Sequence, residues 1–403
     1  MGNKIIMHID LNAFFAACEE LRHPELRGLP LAIGGEGRSG IVSTANYVAR
    51  KYGVHSGQPT FQSHALCKNL TVLPPDFDYY RMMSRSFFSI VKEVSPIVEM
   101  ASVDEAYVDM TEALSHQKEP ITFLRNLQFR LKKETGLSCS IGIGRSKWVA
   151  KMASDLKKPM GLVVIKNSEI PKYIYPLPIE SFWGIGKKTA PELRSWGITT
   201  IGELAEALQK KDPSTIKCLG KFAEVALVWL EGRGNDVVSV EQPDPKSIGM
   251  SETLMSDITR PEEALSTFKY LVHCVCAKAS EQRKVGRTIS VVAKDSSFRS
   301  HQKSVTLERP TYKETEIYPR ALGLYNALFA QLGGKEIRLV GFTLSRLEDE
   351  SKQTIQMNFW NYAEYEEMDA TKLLIEELNR KAEGTPFLRA REAKKEDGHH
   401  GRD

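Results

Sequence analysis

Residues 4 to 10 read Lys-Ile-Ile-Met-His-Ile-Asp, a run that is apolar on both faces of an extended chain and places an aspartate at its end. Strands with two apolar faces are typical of the centre of a sheet that other layers cover. Working outward, we predict a helix at 81–94, strands at 97–101 and 106–110, a helix at 121–134, a strand at 137–143 and a helix from Ser146. With residues 15–75 set aside as an insertion, the order is β-α-β-β-α-β, the ferredoxin-like arrangement.

Two further units are predicted after this one. Pro159-Met-Gly161 is a turn signal, and beyond a short strand the chain is helical and compact through about 235. The two prolines of Glu241-Gln-Pro-Asp-Pro-Lys246 indicate a linker. Strands and helices then alternate, with strands at 288–294, 303–307 and 337–344, helices at 261–284 and 317–332, and a last helix at 366–382. The sequence therefore predicts a multidomain α+β fold.

The composition excludes several classes of protein. With 403 residues, 41% apolar and 26% charged, the chain has an ordinary globular composition. It holds no apolar run of the roughly 18 residues that a membrane span requires and no signal-peptide core, so we expect a cytoplasmic location and no membrane partner. Six cysteines with one close pair, Cys274 and Cys276, indicate reduced thiols rather than a structural zinc site.

Charge is unevenly distributed along the chain. Residues 245–345 hold 15 Lys/Arg against 10 Asp/Glu, whereas acidic residues outnumber basic ones after 345. Basic surfaces attract phosphate backbones through the release of counterions. Ordinary domains also carry such an excess, so charge alone leaves nucleic-acid binding open.

Three carboxylates are predicted to meet at one edge of the first sheet. Asp10 ends the first strand, and Asp104 and Glu105 lie in the tight connection between two later strands. We expect the first and second strands of the motif to be neighbours, which brings these side chains together. Close carboxylates raise one another's pKa unless a cation joins them, and hard oxygen ligands favour Mg²⁺ or Mn²⁺ over zinc. Two such ions about 3.5 to 4 Å apart can promote an in-line displacement at phosphorus. From spacing alone, the favoured interpretation is that Asp104 and Glu105 are simply turn formers in a hairpin.

The surrounding motifs resemble a known family. Asp10-Leu-Asn-Ala-Phe-Phe-Ala-Ala-Cys-Glu19 and Ser102-Val-Asp-Glu-Ala-Tyr-Val-Asp109 resemble the two palm motifs of Y-family DNA polymerases, in the bacterial DinB or polymerase IV branch. The resemblance spans about residues 4–345 and continues, in the family's order, through Ser43-Thr-Ala-Asn-Tyr-Val-Ala-Arg-Lys-Tyr-Gly53, Ser140-Ile-Gly-Ile-Gly144, Ala153-Ser-Asp-Leu-Lys-Lys-Pro159 and Lys246-Ser-Ile-Gly249. Several long motifs in order are far more specific than one short pattern.

The resemblance implies a right-hand polymerase with a ferredoxin-like palm. Its expected domains are a palm (1–14 and 75–165), small fingers (15–74), a helical thumb with a helix-hairpin-helix (166–240), a linker (241–246), an α+β little finger (247–345) and a tail (346–403). The expected partners are primer–template DNA and dNTPs, and the expected state is a monomer.

Site residues follow from the same resemblance, one position at a time. Asp10, Asp104, Glu105 and the backbone carbonyl of Leu11 match the ligands of two Mg²⁺ ions, and the three carboxylates are the expected catalytic residues. Phe15 matches the steric gate, a ring that leaves no room for the hydroxyl that distinguishes RNA from DNA. Without the resemblance, Phe15 would be interpreted as a core aromatic, the role that Phe14 is expected to fill. The remaining nucleotide-binding positions are Phe14 and the groups expected to grip the triphosphate, Tyr47, Arg50 and Lys158.

Two more motifs concern macromolecular partners. Gly184-Ile-Gly186 with Lys187 looks like the start of the thumb's helix-hairpin-helix, where glycines let backbone N–H groups approach a DNA phosphate. Gln356-Met-Asn-Phe-Trp360 is similar to the peptide that binds the sliding clamp, with Gln356, Met357, Phe359 and Trp360 as its contact residues. The alternative is that Phe359 and Trp360 pin the tail to its own domain. Asn12 stands where many members have Asp, which leaves all three acidic ligand positions intact.

The function implied is low-fidelity translesion synthesis, in which a DNA-dependent DNA polymerase transfers dNMP to a primer 3′-OH, releases pyrophosphate and lacks proofreading. Two other functions are weighed. A nucleotide cyclase shares the palm and its acidic pair, but it needs no sugar gate, helix-hairpin-helix or basic third domain. A catalytically silent DNA-binding scaffold would have to bury three carboxylates without a metal, which is costly.

Overall fold

The computed structural model describes residues 4–234, 237–241, 243–352 and 378. By its internal contacts the chain divides into two units, the first ending at Asp244 and the second beginning at Pro245. Within the part of the chain so described, none of the helices combines the length and apolar character needed to cross a membrane.

The first unit is built from strands and helices that alternate along the chain. Its described strands are β1 (Ile6–Leu11), β2 (Leu31–Gly34), β3 (Val42–Ala45), β4 (Thr71–Leu73), β5 (Val98–Met100), β6 (Glu105–Asp109), β7 (Cys139–Gly144) and β8 (Leu162–Val164). Its described α-helices are α1 (Phe14–Arg22), α2 (Tyr47–Arg50), α3 (Thr60–Leu66), α4 (Phe77–Val94), α5 (Thr111–Ser115), α6 (Pro120–Thr135), α7 (Lys147–Asp155), α8 (Ile170–Tyr173), α9 (Thr189–Ser195), α10 (Ile201–Gln209), α11 (Pro213–Leu219) and α12 (Phe222–Leu230).

The main sheet has five strands in the order β5-β6-β1-β7-β8. β1 is central and every one of its residues is buried, as its two apolar faces predict. The expected pairing of the first and second strands of the motif is wrong. β1 pairs with β6, the third strand, and β5 lies beyond β6. The connection through α4 leads from β1 to β5, which lies two positions away from β1 in the sheet. The chain then turns back tightly, and β6 occupies the position between β5 and β1.

The two faces of the sheet carry different layers. Met7, Ile9 and Leu11 share a core with apolar residues of α4 and α6, whereas α7 packs against the other face of β1 and β7. This helix lies so close that a Cβ at Gly142 would collide with the backbone carbonyl of Ala150. Since side chains alternate along a strand, the even-numbered residues of β1, including His8 and Asp10, face α7.

The helices of this sheet begin and end where capping chemistry places them. α4 begins at Phe77, four residues before the predicted start, because Asp76 caps it by accepting a hydrogen bond from the backbone N–H of Tyr79. α6 ends at Gly136, which has a φ of +77° and therefore adopts the left-handed conformation that suits glycine.

The remainder of the first unit has two parts. Residues 15–75 contain a three-stranded sheet in the order β3-β2-β4, with β2 antiparallel to β3 and parallel to β4. α8 to α12 follow β8 and share a core with α7, in which the buried ring of Trp148 packs against Phe182 and Trp229.

The second unit is a four-stranded antiparallel sheet covered by two helices. Its described elements are β9 (Ser247–Ile258), α13 (Leu265–Glu281), β10 (Lys284–Asp295), β11 (Ser300–Thr311), α14 (Glu314–Leu332) and β12 (Ile337–Asp349), and the strand order is β11-β10-β12-β9. The helix predicted at 261–284 is too long, because Pro261–Ala264 is a 3-10 turn and Lys284 already belongs to β10. The sequence prediction missed β9, an edge strand whose residues are mostly exposed and therefore lack a clear apolar alternation. The helix predicted at 366–382 falls outside the described residues, apart from Leu378.

Candidate active site

Asp10 and Glu105 are register partners across the β1–β6 pair, at the end of the sheet. Asp104 immediately precedes β6, and its backbone carbonyl accepts a 2.9 Å hydrogen bond from the N–H of Leu11. Its carboxylate accepts a hydrogen bond from the hydroxyl of Ser102. Asp10 and Asp104 line one cavity of about 200 Å³. The three predicted carboxylates therefore lie at the same end of the sheet, with Asp10 and Glu105 closest together.

Two lysines neutralise these carboxylates. Lys158 Nζ lies 2.8 Å from Asp10 Oδ1 and 2.7 Å from Asp155 Oδ1. Lys151 Nζ lies 2.7 Å from Glu105 Oε2 and 3.5 Å from Asp10 Oδ2. The acidic end of the sheet thus already attracts cationic groups from α7 and from the chain that follows it.

The surroundings shift the pKa values of Asp10 and Glu105 in opposite directions. Burial raises the pKa of Asp10, although the charges of Lys158 and Lys151 oppose this effect. The adjacent His8 imidazole, with Nε2 3.3 Å from Oε2, and the Lys151 ammonium lower the pKa of Glu105 far below its usual range, against the effect of burial. Burial would lower the pKa of both lysines, but attraction to Asp10, Asp155 and Glu105 prevails and raises each pKa. Glu105 and the two lysines are therefore firmly ionised.

The cavity beside Asp10 is lined by basic as well as acidic residues. Its lining residues are Asp10, Leu11, Ala13, Phe14, Ser43, Thr44, Tyr47, Arg50, Ser56, Asp104 and Lys158. Tyr47, Arg50 and Lys158, the residues predicted to grip the triphosphate, thus line the same cavity. A cavity lined by carboxylates together with cationic and hydroxyl groups suits a polyphosphate that carries a divalent metal ion.

α2 holds two of these groups in place. Asn46 caps it by accepting a 2.9 Å hydrogen bond from the N–H of Ala49. The Arg50 guanidinium lies 4.9 Å from the centre of the Tyr47 ring, and its Nε donates to the carbonyl of Ala45 at 2.9 Å. The Tyr47 hydroxyl donates to Asn12 Oδ1 at 3.4 Å, and burial raises its pKa.

Phe14 and Phe15 occupy different environments. Phe14 is buried in the core of the sheet and also lines the cavity. Phe15 is partly exposed, its ring stacks on that of Tyr80 at 4.4 Å, and the edge of Phe77 lies against it at 5.9 Å between ring centres. The Tyr80 hydroxyl donates to Glu19 at 2.7 Å. The rings of Tyr80 and Phe77 thus pack against Phe15 and restrict its movement.

The predicted DNA-binding residues Gly184, Gly186 and Lys187 are not among the residues that line this cavity. Gly184 and Gly186 are in the turn before α9, where Gly184 has a φ of +115° and any side chain would meet the Phe222 ring. Lys187 is exposed in the same turn. The predicted clamp-binding residues, Gln356, Met357, Phe359 and Trp360, lie outside the described residues.

Sequence reasoning missed four residues that surround the acidic site: His8, Lys151, Ser154 and Asp155. Two signals were available. His8 lies two residues before Asp10 and so faces the same side of β1. Ser154 and Asp155 lie three and four residues after Lys151 and four and three residues before Lys158, which places all of them on one side of α7 and the turn after it.

Comparisons with known proteins fit this arrangement. The impB/mucB/samB family model matches residues 9–155, its HHH motif matches 167–198, and its C-terminal domain matches 245–358. DNA polymerase IV 1 of Bacillus subtilis (strain 168) is 34% identical over 395 residues, which are 96% of this chain and 92% of the relative. The DNA polymerase IV of Oceanobacillus iheyensis is 35% identical over 385 residues, 94% of this chain and 90% of the relative. The chain belongs to the Y family of DNA polymerases, in the DNA polymerase IV branch.

Solved structures of Y-family polymerases share the fold. The Y-family DNA polymerase chimera Dbh-Dpo4(243-245)-Dbh matches with a TM-score of 0.76 and 25% identity, over 86% of this chain and 99% of that one. DinB from Sulfolobus solfataricus matches with a TM-score of 0.56 and 25% identity, again over 86% and 99%. The predicted fold class is thereby confirmed.

Membership of the Y family implies the use of a divalent metal ion, and the residues present fit one. Asp10, Asp104 and Glu105 supply carboxylate oxygens, and Leu11 adds a backbone carbonyl at the cavity wall. These are hard oxygen donors. The ammonium groups of Lys151 and Lys158, drawn to Glu105 and Asp10, show that positive charge is favoured there.

Proposed function

We propose that this Y-family polymerase carries out translesion DNA synthesis with the cavity beside Asp10 as its nucleotide site. It joins dNMP to a primer 3′-OH on a DNA template, releases pyrophosphate and has no proofreading. The observation that carries the proposal is that one cavity of about 200 Å³ is lined by the acidic residues Asp10 and Asp104 together with Arg50, Tyr47 and Lys158.

The domains divide this work. The palm comprises 1–14 and 75–165, the fingers 15–74, the thumb 166–240, and the little finger 247–345 after a linker at 241–246. The palm carries the carboxylates, and α2 of the fingers brings Tyr47 and Arg50 over them. Gly184, Gly186 and Lys187 of the thumb contact a DNA phosphate through backbone N–H groups and one positive charge.

Two Mg²⁺ ions would be held by Asp10, Asp104, Glu105 and the carbonyl of Leu11. Bound there, they would lower the pKa of the attacking hydroxyl and stabilise the charge on the leaving pyrophosphate. Asp104 can keep its hydrogen bond from Ser102 on Oδ1 and offer Oδ2 as a ligand. Lys158 must release Asp10, and its ammonium is then free to bind the triphosphate beside Arg50 and the Tyr47 hydroxyl.

Sugar selection falls to Phe15. The stacking of this ring on Tyr80 leaves it little freedom to move away from an added 2′-hydroxyl. Phe14, buried beneath it, supports the same wall.

Primer extension tests the proposal. Wild type, Asp104→Ala and the control Asp78→Asn, an exposed carboxylate on α4, are compared with Mg²⁺ and each of dNTPs and rNTPs. Wild type and the control should extend with dNTPs only. Asp104→Ala should lose several kcal/mol of transition-state stabilisation, on the order of a thousandfold in rate. A wild type that binds primed DNA without extending it would support the scaffold function instead.

Recruitment to a sliding clamp is a separate proposal that rests on Gln356-Met-Asn-Phe-Trp360. The full chain and a variant with Gln356, Phe359 and Trp360 changed to Ala are compared for extension of clamp-loaded primer. Loss of clamp stimulation, with clamp-free extension unchanged, is the expected result. Equal stimulation of both proteins would refute this role for the peptide.

A further inference from the structure

His8 occupies a fully buried position directly behind the acidic site. It lies on the same side of β1 as Asp10, between the sheet and α7, and its ring is 4.9 Å from that of Tyr107. A wholly buried imidazole needs partners for both ring nitrogens. The mechanism proposed above assigns it no role.

Both nitrogens have a neighbour. Nδ1 lies 2.8 Å from the hydroxyl of Ser154, and Nε2 lies 3.3 Å from Glu105 Oε2. The contact between Nε2 and Glu105 is not a formed hydrogen bond. Nε2 therefore has no hydrogen-bond partner until the Glu105 side chain turns slightly toward it. An orphaned buried nitrogen that points at a carboxylate is poised to donate to it.

The protonation states of Ser154, His8 and Glu105 decide which of these groups donates each hydrogen bond. A neutral imidazole carries one N–H. If it were on Nδ1, the lone pair of Nε2 would face a carboxylate oxygen, which is repulsive. Donation from the Ser154 hydroxyl to Nδ1 leaves the N–H on Nε2, directed at Glu105. The single proton of the Ser154 hydroxyl has a second possible acceptor, the carbonyl of Lys151 at 2.8 Å. That carbonyl is four residues before Asp155 in α7 and accepts its helical N–H, so it does not depend on Ser154 for a partner.

His8 and Lys151 converge on the same oxygen of Glu105. Lys151 Nζ lies 2.7 Å from Oε2, the atom that faces His8 Nε2. Because His8 and Lys151 both lie against Oε2, the other oxygen of Glu105, Oε1, remains available to bind a cation. Direct ligation of a metal by His8 is disfavoured, because the Lys151 ammonium adds positive charge on that side.

We propose that Ser154 and His8 form a hydrogen-bonded relay that positions Glu105 as a metal ligand. The inference rests on the proposed function, since it takes Glu105 as a ligand of the catalytic cation. Outer hydrogen bonds of this kind orient metal ligands, and their loss typically costs about 10- to 100-fold in metal affinity or activity.

Binding of Mn²⁺ to the full chain tests the relay without catalysis. The electron paramagnetic resonance signal of free Mn²⁺ is titrated with wild type, His8→Leu, which removes the donor, and His8→Gln, which keeps one. His8→Leu should weaken Mn²⁺ binding about tenfold or more, and His8→Gln should recover most of it. Ser154→Ala should weaken binding a few-fold, and thermal unfolding confirms that each variant is folded.

Primer extension as a function of Mg²⁺ concentration provides the second readout. The activation curve of His8→Leu should shift to higher Mg²⁺ in parallel with its Mn²⁺ affinity. Unchanged Mn²⁺ affinity in folded His8→Leu, or in Ser154→Ala if His8→Leu does not fold, overturns the relay. So does a nitrogen hyperfine coupling that reports imidazole bound directly to Mn²⁺. If wild type binds Mn²⁺ through the relay but never extends a primer, the relay stands and the proposed function fails.

Discussion

The rings of Phe15 and Tyr80 stack face to face, with centres 4.4 Å apart and planes inclined by 15°. Tyr80 is itself fixed, because its hydroxyl donates to the buried Glu19. A flat ring that is backed by a second, anchored ring cannot yield easily to a larger ligand. The stack therefore gives the proposed sugar gate its stiffness.

Removal of the gate should relax sugar selection. Phe15→Ala is expected to raise the use of rNTPs relative to dNTPs by about 1–3 kcal/mol, on the order of tenfold to a hundredfold, because the added hydroxyl no longer meets a ring. Tyr80→Leu should give a smaller change in the same direction, since Phe15 remains but loses its backing. The ratio of kcat/KM for the two nucleotides measures both effects. Phe61→Ala, an exposed aromatic of α3, is the control. If Phe15→Ala keeps the wild-type ratio, Phe15 is not the gate.

Loss of the Tyr80 hydroxyl should cost stability rather than selectivity. Tyr80→Phe preserves the stack on Phe15 but leaves Glu19 with fewer partners in a buried position. We expect the free energy of unfolding to fall by about 1–3 kcal/mol, with the rNTP/dNTP ratio close to wild type. Chemical denaturation measures the first quantity. A variant as stable as wild type would show that Glu19 finds another donor.

The central part of the fold was readable from sequence because its signals are local. The apolar run of β1 and the residues around Asp104 predict the strands, and they identify the acidic end of the sheet. Pairing is a non-local property, so the sequence did not show that β1 neighbours β6 rather than β5. β9 was missed for a different reason, since an exposed edge strand has no buried face to impose an alternating pattern.

Some residues around the candidate site were identified from the sequence and others were not. Tyr47, Arg50 and Lys158 were located through motif resemblance, whereas His8 and Lys151 were passed over. A buried histidine or lysine is indistinguishable in sequence from a surface one until the layer that covers it is known. Here that layer is α7, whose approach to the sheet is permitted by Gly142.

Gln128 should control nucleotide binding from a distance. Its wholly buried side chain donates to the backbone carbonyls of Cys139 at 2.7 Å and Gly161 at 3.1 Å, which ties α6 to the loop that carries Lys158. Gln128→Met leaves both carbonyls without this donor, so we expect a loss of about 1–3 kcal/mol in unfolding free energy. KM for dNTP should rise more than kcat falls, since Lys158 binds the triphosphate less well. The exposed Lys132→Met on the same helix is the control. An unchanged KM in the folded variant would contradict this link.

Glu105 should stabilise the metal-free protein in a pH-dependent way. Its pKa in the folded protein is held well below the ordinary value of 4.5, chiefly by the adjacent His8 imidazole and by Lys151. A lowered pKa means that the unfolded chain binds a proton more readily than the folded one, so the stabilising contribution is present above about pH 4.5 and is lost as the pH falls further.

Comparison of wild type with Glu105→Gln in a metal chelator isolates that contribution. The difference in unfolding free energy should favour wild type at pH 7, because the amide cannot attract Lys151 as the carboxylate does, and it should shrink steadily from pH 4.5 toward pH 3. Asp78→Asn, at an exposed carboxylate, should show little pH-dependent difference. A gap between wild type and Glu105→Gln that stays constant across this range would mean that the carboxylate's charge does not contribute. The effect of Glu105 would then lie in its shape and packing, and the charge attraction to Lys151 would have to be balanced by the cost of burying both groups.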